Sequence, residues 1–252
     1  MEKDSEVEEV IQRLGKDLAG ARRVSVLTGA GISAESGVPT FRGADGLWKD
    51  YHATDLATPQ AFARDPELVW EFYNWRRALI SKVTFNPAHK ALVELENRIP
   101  DFTLITQNVD GLHLLAGSRN VLEIHGNLWR VRCTGCGRGT LDQRSDLGRL
   151  PKCEECGALL RPDVVWFGES LDPDVLGRAV EAVRACEIML VIGTSAVVQP
   201  AASMAMEAKR AGAAVAEINL EPTEQSKYMD YALQGKAGEI IPRVARAALD
   251  AV

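Results

Sequence analysis

Four of the five cysteines fall in two tight pairs, Cys133-Thr134-Gly135-Cys136 and Cys153-Glu154-Glu155-Cys156, with sixteen residues between them. Two such turns at this separation can set four thiolates tetrahedrally around Zn²⁺. Gly135, Gly137 and Gly157 allow the tight backbones that zinc knuckles need. Four thiolates leave no coordination position open, so one structural zinc is implied and not a catalytic one. The alternative is four unligated buried cysteines. Cys186 stands alone before an apolar run and reads as core. A second possible centre of chemistry is imidazole, which titrates at about 6.5 and can take a proton near neutral pH. The chain has four histidines, His52, His89, His113 and His125, and on residue type alone each is an equal candidate.

Two further groupings carry chemistry. Gly29-Ala30-Gly31-Ile32-Ser33-Ala34-Glu35-Ser36-Gly37 follows a β-rich run and is expected to open a helix. Small residues there let backbone N–H groups approach a pyrophosphate, helped by the positive helix end. Tight packing explains a Gly-x-Gly equally well, and the full dehydrogenase spacing is absent. In Glu71-Phe72-Tyr73-Asn74-Trp75-Arg76-Arg77, Leu68, Phe72, Trp75 and Leu79 are expected to form the core face of a helix. Tyr73 and Arg76, three apart on its flank, can converge on one point. A guanidinium beside a phenol suits a carboxylate; an exposed arginine beside a half-buried tyrosine is the plainer alternative.

These residues must be positioned by regular elements. Val7, Val10, Ile11, Leu14 and Leu18 recur at helical spacing, with Gly20 as a stop. Val24–Thr28, Phe102–Thr106, Ile188–Ile192 and Ala214–Ile218 are apolar runs with little alternation, as a parallel sheet covered on both faces requires. They end in Gly29-Ala30-Gly31, Gln107-Asn108, Gly193-Thr194-Ser195 and Asn219, which places small or amide residues at the carboxyl ends of strands, where open α/β folds bind ligands. Helical patterns lie between, as at Ala201–Ala211. The fold class is therefore α/β, a doubly wound parallel sheet. Residues 46–87, helical and aromatic, and 128–162, carrying the cysteine pairs, break the alternation and read as insertions that form a smaller domain.

The whole chain bounds these readings. At 252 residues, 46% hydrophobic and 25% charged, it is an ordinary globular composition. A formal net charge of −6 argues against general nucleic-acid binding. No apolar stretch approaches the ~18 residues that span a bilayer, and the N-terminal MEKDSEVEEV lacks a secretory pattern. A cytoplasmic location and no membrane partner are expected.

Taken together, Gly29–Ser33, Val38-Pro39-Thr40-Phe41-Arg42, Thr106-Gln107-Asn108-Val109-Asp110 and Ile124-His125-Gly126 resemble the sirtuin family. Val164-Val165-Trp166-Phe167-Gly168-Glu169, Gly193-Thr194-Ser195 and Glu217-Ile218-Asn219 extend the match, and the cysteine pairs fall where that family carries its zinc. The resemblance runs from about residue 20 to 245. It implies a Rossmann-like NAD-binding domain made of 1–45, 88–127 and 163–252, with 46–87 and 128–162 as the small domain. It also implies NAD-dependent removal of acyl groups from protein lysines, the acyl oxygen attacking the nicotinamide ribose and the acyl group ending on ADP-ribose.

On the same resemblance His125 matches the catalytic base, with Asn108 and Asp110 orienting the ribose and a water. Implied NAD contacts are Gly29, Ala30, Gly31, Ser33, Ala34, Glu35, Pro39, Thr40, Phe41, Arg42, Trp48, Gln107, Asn108, Val109, Asp110, Gly193, Thr194, Ser195, Asn219, Leu220, Glu221 and Ala237. Phe41 and Arg42 belong to the loop that covers nicotinamide. Gln107, Asn108 and Asp110 share a second reading, as caps of the helix after the strand, which applies especially to Asn108. Val165, Trp166, Phe167 and Gly168 resemble the segment that pairs with substrate peptide as an added strand. Tyr73 and Arg76 resemble the pair in the bacterial and archaeal subgroup that removes succinyl and malonyl groups, with Ala57 enlarging that pocket. Cys133, Cys136, Cys153 and Cys156 are the implied zinc ligands. Three other functions share parts of this pattern: a protein ADP-ribosyltransferase on the same scaffold, a non-catalytic NAD sensor, and, least favoured, a nicotinamide dehydrogenase.

Overall fold

The computed structural model describes residues 2–39, 47–49 and 51–251. Helix α1 (Glu2–Gly20) buries Ile11, Leu14 and Leu18 and leads into β1 (Arg23–Thr28) and the short α2 (Gly31–Ala34). An antiparallel pair, β2 (Leu47–Trp48) and β3 (Tyr51–His52), precedes α3 (Ala53–Leu56), α4 (Pro59–Arg64) and α5 (Pro66–Ile80). The chain then returns through α6 (Pro87–Arg98), β4 (Asp101–Thr106), α7 (Leu112–Ala116) and β5 (Val121–Glu123). It leaves again as β6 (Gly126–Cys133), β7 (Gly139–Leu141) and β8 (Leu160–Val164). The last third alternates α8 (Pro173–Ala185), β9 (Ile188–Ile192), α9 (Ala201–Arg210), β10 (Ala214–Asn219), β11 (Tyr231–Gln234) and α10 (Ala237–Asp250). Several helix starts share one device. Thr58, Asp65, Asn86 and Asp172 cap N-termini with their side chains, and each is followed by proline, whose fixed φ suits the first helical position.

Six strands form a wholly parallel sheet in the order β11-β10-β9-β1-β4-β5. From β1 the chain first builds outward through β4 and β5, then returns to the other side of β1 with β9. The switch point of the topology is therefore the crevice between β1 and β9, where open α/β sheets bind ligands. One face of the sheet packs with α1, α6 and α10, the other with α8 and α9, so the central strands β1, β4 and β9 are buried on both sides, while the edge strand β11 keeps one face exposed. No helix among the described residues is long and apolar enough to cross a membrane.

Beside the sheet lies a smaller unit. Strands β7-β6-β8 form an antiparallel ribbon with β8 at one edge, and α3, α4 and α5 pack against it. The two insertions share one hydrophobic core, in which Trp48, Leu56, Trp70 and Phe72 meet Leu128, Val131, Val164 and Trp166.

Helix α5 departs from the face expected of it. Leu68, Trp75 and Leu79 are only partly buried, whereas Val69, Trp70, Phe72, Tyr73, Arg76, Arg77 and Ile80 are buried. The reason is that α5 is enclosed on more than one side. Trp70 donates its indole N–H to Leu160 O at 2.8 Å on β8, and Arg77, fully buried, donates to the carbonyls of Leu128, Asp142 and Arg144. A guanidinium with so many partners is tolerated inside, so apolar periodicity alone misplaces the buried face.

Two histidines lie under the sheet's carboxyl end. His89 on α6 and His113 on α7 are 0% and 2% exposed, with ring centroids 4.7 Å apart. His113 Nε2 lies 2.9 Å from Thr28 Oγ1, which donates to Thr106 Oγ1 and so receives the imidazole N–H. Burial pushes His89 down to about 4 and His113 well below its ordinary value, the nearby His89 adding to the second shift. Both are neutral in the fold and protonate readily once unfolded. Their contribution to stability is complete above about pH 6.5 and is lost as pH falls toward the folded-state values. Urea-unfolding midpoints are therefore expected to drop between pH 6.5 and about 5.5, above the carboxylate range; a flat midpoint there contradicts neutral burial of the pair.

Candidate active site and metal centre

The crevice between β1 and β9 is closed by backbone. Gly29 N donates to Ile192 O at 3.0 Å and Gly31 N to Gly193 O at 2.8 Å. Gly193 has φ +59°, and a Cβ on it would lie 2.4 Å from Ile32 N, so no other residue fits without moving the loop. These two glycine N–H groups are engaged within the fold, so the close approach of two loops is the first role of the motif. Around it Thr194 acts as a hub. Gln107 Nε2 donates to Thr194 Oγ1 at 2.9 Å, and Asn219 Nδ2 donates to Thr194 O at 3.0 Å. Ser195, Leu220 and Glu221 are exposed beside it, with Ala34 and Glu35 on the neighbouring loop. Glu35 Oε1 accepts from Gly238 N at 2.7 Å, joining α2 to the start of α10, where Ala237 is buried.

Asn108 is buried and ties two motifs together: its Nδ2 donates to Gly29 O at 3.0 Å and to Ser33 Oγ at 3.2 Å. It does not cap α7. The N-cap of α7 is Gly111, and the first helical N–H, that of Leu112, is taken by Asp110 Oδ1 at 2.9 Å, while Asn108 is held back over the β1 loop. Asp110 is also buried, and burial raises its carboxyl above the usual range against the lowering effects of Leu112 N–H, Ser33 and Arg76. Val109 is half-buried; its carbonyl accepts from Leu128 N at 2.8 Å.

His125 follows β5, half-buried, with Nδ1 3.0 Å from Gln107 O. A carbonyl only accepts, so Nδ1 carries the proton and Nε2 is left as the basic nitrogen. Burial lowers its pKa from 6.5, with the Gln107 contact acting in the opposite direction. The turn behind it requires Gly126, with φ +79° and a would-be Cβ 2.2 Å from Asp163 O. His125 O accepts from Val165 N at 2.9 Å, so His125 and the end of β8 are joined.

From Val165 the chain passes to buried Trp166, exposed Phe167 and Gly168, and Phe167 N donates to Ala57 O at 2.9 Å. Tyr73 and Arg76 lie behind this segment, 4% and 7% exposed, so the plainer alternative of a surface arginine is excluded. Burial pushes Tyr73 up to about 12 and lowers Arg76, whose charge faces Asp110. Trp48, by contrast, packs in the aromatic core against Phe72 and Trp75, with centroids at 5.7 and 6.3 Å. Pro39 is half-buried; Thr40, Phe41 and Arg42 lie outside the described residues.

The four paired cysteines converge, with all ligand atoms within 4.8 Å of one another. Cys136 and Cys153 sulfurs are 3.8 Å apart and those of Cys133 and Cys156 3.4 Å. Tetrahedral Zn–S bonds of about 2.3 Å require S···S near ~3.8 Å, so the donor set and its spacing fit the ion. Gly135 N and Cys136 N point at Cys133 Sγ at 3.3 and 3.4 Å, which supports a thiolate. Strand β6 separates this cluster from His125 by roughly 20–25 Å, too far for a part in the chemistry.

Residues 29–200 match the family model described as the Sir2 family. The chain belongs to the Sir2 family. The NAD-dependent protein deacylase of Aquifex aeolicus is 53% identical over 88% of this chain and 93% of its own length. A Sir2 homologue solved as an NAD complex superposes with a TM-score of 0.91 at 50% identity, covering 95% and 94% of the two chains. A Sir2–p53 peptide–NAD⁺ structure does so with 0.82 at 31% identity, covering 91% and 95%.

Sequence reasoning alone missed some residues that position this Sir2-family site. Trp129 Nε1 donates to Asp110 O at 2.8 Å and so links the zinc ribbon to the Gln107–Asp110 loop, while Arg77 sits over the Trp129 ring at 5.1 Å. Their partners are distant in sequence and leave no local signal. Removing zinc should therefore loosen β6 and the loop it supports. We expect a chelated sample to lose roughly 10 °C in Tm; an unchanged melting curve in verified zinc-free protein contradicts a structural metal.

Proposed function

We propose that this chain is an NAD-dependent protein-lysine deacylase whose pocket takes acidic acyl groups as well as acetyl. The observation that carries the reading is His125: a half-buried imidazole with its Nε2 unprotonated, held by Gln107 O at the carboxyl edge of the sheet. NAD, when bound, supplies a ribose carbon with nicotinamide as leaving group, to which the acyl oxygen bonds.

The chain's part is to hold, shield and deprotonate. His125 Nε2 takes a proton from a ribose hydroxyl, and Nδ1–H bonded to Gln107 O fixes the ring and its tautomer. Asn108, clamped to Gly29 O and Ser33 Oγ, and Asp110 orient the ribose and a water. Gly193, Thr194, Ser195, Asn219 and the residues after it receive the adenosine half. The acylated peptide adds as a strand along Val165–Gly168, the segment that continues from the edge strand β8. The acyl chain then passes Ala57 toward Tyr73 and Arg76, where a guanidinium and a phenol bind a terminal carboxylate. The division into a nucleotide domain and a smaller domain at residues 46–87 and 128–162 belongs to the same reading. So does a cytoplasmic setting, where paired thiols hold metal and do not oxidise. The net charge of −6 supports a protein partner and not a nucleic acid.

Purified protein, NAD and equal amounts of acetyl-, succinyl- and malonyl-lysine peptides, followed by mass spectrometry, test the reading. Free lysine with acyl-ADP-ribose is expected, and ADP-ribosylated protein without free lysine overturns it. Arg76→Met should lower the succinyl-to-acetyl ratio of kcat/KM by about 10- to 100-fold, the worth of a charge-assisted pair; equal loss of both activities removes the carboxylate clamp. Because burial lowers His125, the base stays competent to below pH 6.5, and the acidic limb of kcat/KM should lie under that value. A limb well above it, or substantial turnover by His125→Tyr, removes His125 from the base role.

A further inference from the structure

Trp166 belongs to two parts of the site at once. Its backbone lies in the Val165–Gly168 segment, while its indole Nε1 donates to Tyr73 Oη at 2.8 Å, both side chains being buried. An indole N–H is a donor only, so this bond uses a lone pair of the phenol oxygen and leaves the phenol proton to another acceptor. Tyr73 has little freedom to turn, its ring lying edge-on to Phe72 at 5.1 Å. With its pKa pushed up to about 12 by burial, the phenol keeps that proton throughout the working range.

The indole is itself held by two further side chains. The Arg161 guanidinium lies 3.5 Å from its ring centroid, and the Phe62 ring packs at 5.2 Å. Arg161 pairs with Glu169 through two bonds of 2.6 and 2.8 Å, and Glu169 also accepts Trp166 N at 2.8 Å. Around the phenol these two charges act in opposite directions, so the brace adds little net charge to the pocket. An ionised carboxylate accepts hydrogen bonds and donates none. A pocket for it needs donors, and a free phenol can present either a proton or a lone pair.

We propose that Trp166 is a specificity-positioning residue: by occupying the acceptor side of Tyr73 Oη, its indole N–H turns the phenol O–H toward the acyl chain and makes Tyr73 an obligate donor beside Arg76. This rests on the acidic-acyl reading given above. It also couples peptide docking to acyl selection, since the residue that orients the phenol is part of the segment along which the peptide is proposed to add.

Trp166→Phe keeps an aromatic ring between Arg161 and Phe62 and removes the N–H together with part of the indole's volume, a packing loss for which the Tyr73→Phe background serves as the control. The succinyl-to-acetyl ratio of kcat/KM should fall roughly three- to tenfold, the worth of one neutral hydrogen bond, through a higher KM for the succinyl peptide and not a lower kcat. In a Tyr73→Phe background the same substitution should leave the ratio where Tyr73→Phe alone puts it. An unchanged ratio for Trp166→Phe, or an equal further loss in the Tyr73→Phe background, overturns the proposal while leaving the acid clamp standing. If Tyr73→Phe and Arg76→Met both leave the ratio unchanged, the acid-pocket reading has failed and the proposal falls with it. Should Trp166→Phe not fold, the indole ¹H–¹⁵N resonance of Trp166 in the Tyr73→Phe protein decides. A clear shift from the wild-type position is expected, and an unmoved resonance overturns the proposal.

Discussion

The site depends on a backbone contact that excludes side chains. Where the β1 loop meets the β9 loop, Gly29 and Gly31 donate to Ile192 O and Gly193 O, and any Cβ at Gly193 would strike Ile32 N. That contact sets the width of the crevice at the switch point of the sheet. It also presents Gly29 O to Asn108, and Asn108 in turn holds Ser33. Gln107, next in the chain, bonds Thr194 through its side chain and His125 through its carbonyl. The Gln107–Asp110 loop, His125 and the loops after β9 and β10 are thus placed by one short chain of contacts that begins at three glycines.

The second constraint is that two insertions, each unable to bury its own apolar face, complete each other. Helix α5 and the cysteine ribbon share a core, and the buried Arg77 gathers carbonyls from β6 and the loop after β7. The Cys133, Cys136, Cys153 and Cys156 cluster closes the ribbon at its far end. Its near end begins at Gly126, and Trp129 from the same strand reaches the carbonyl of Asp110. Order imposed by the metal therefore reaches the Gln107–Asp110 loop through a strand.

Charge in the site is managed by burial. Desolvation raises Asp110, lowers Arg76 and lowers His125. For the histidine this favours the neutral imidazole that a base requires. For Arg76, an arginine in so dry a place interacts strongly with an anion brought beside it, because little water competes.

The amino-acid sequence by itself determined the strands, the cysteine quartet and the order of the motifs. Apolar runs such as Ile188–Ile192 bury on both faces whatever surrounds them, and two Cys-x-x-Cys turns make half a zinc site each from local geometry alone. It also held the motifs that single out His125 once they are taken together. Tertiary structure decided which groups meet. Nothing near Asn108 in the chain reveals that its amide crosses to Gly29 and leaves the first N–H of α7 to Asp110. Nor does helical periodicity show that Arg76 and Arg77 are buried while Trp75 is only partly so, because that outcome depends on carbonyls and rings supplied by other segments. The bond from Trp166 to Tyr73 spans 93 residues of chain. Such contacts are encoded at both ends, but only the closed fold brings the two ends within hydrogen-bond reach, and short-range spacing carries no record of the distance between them.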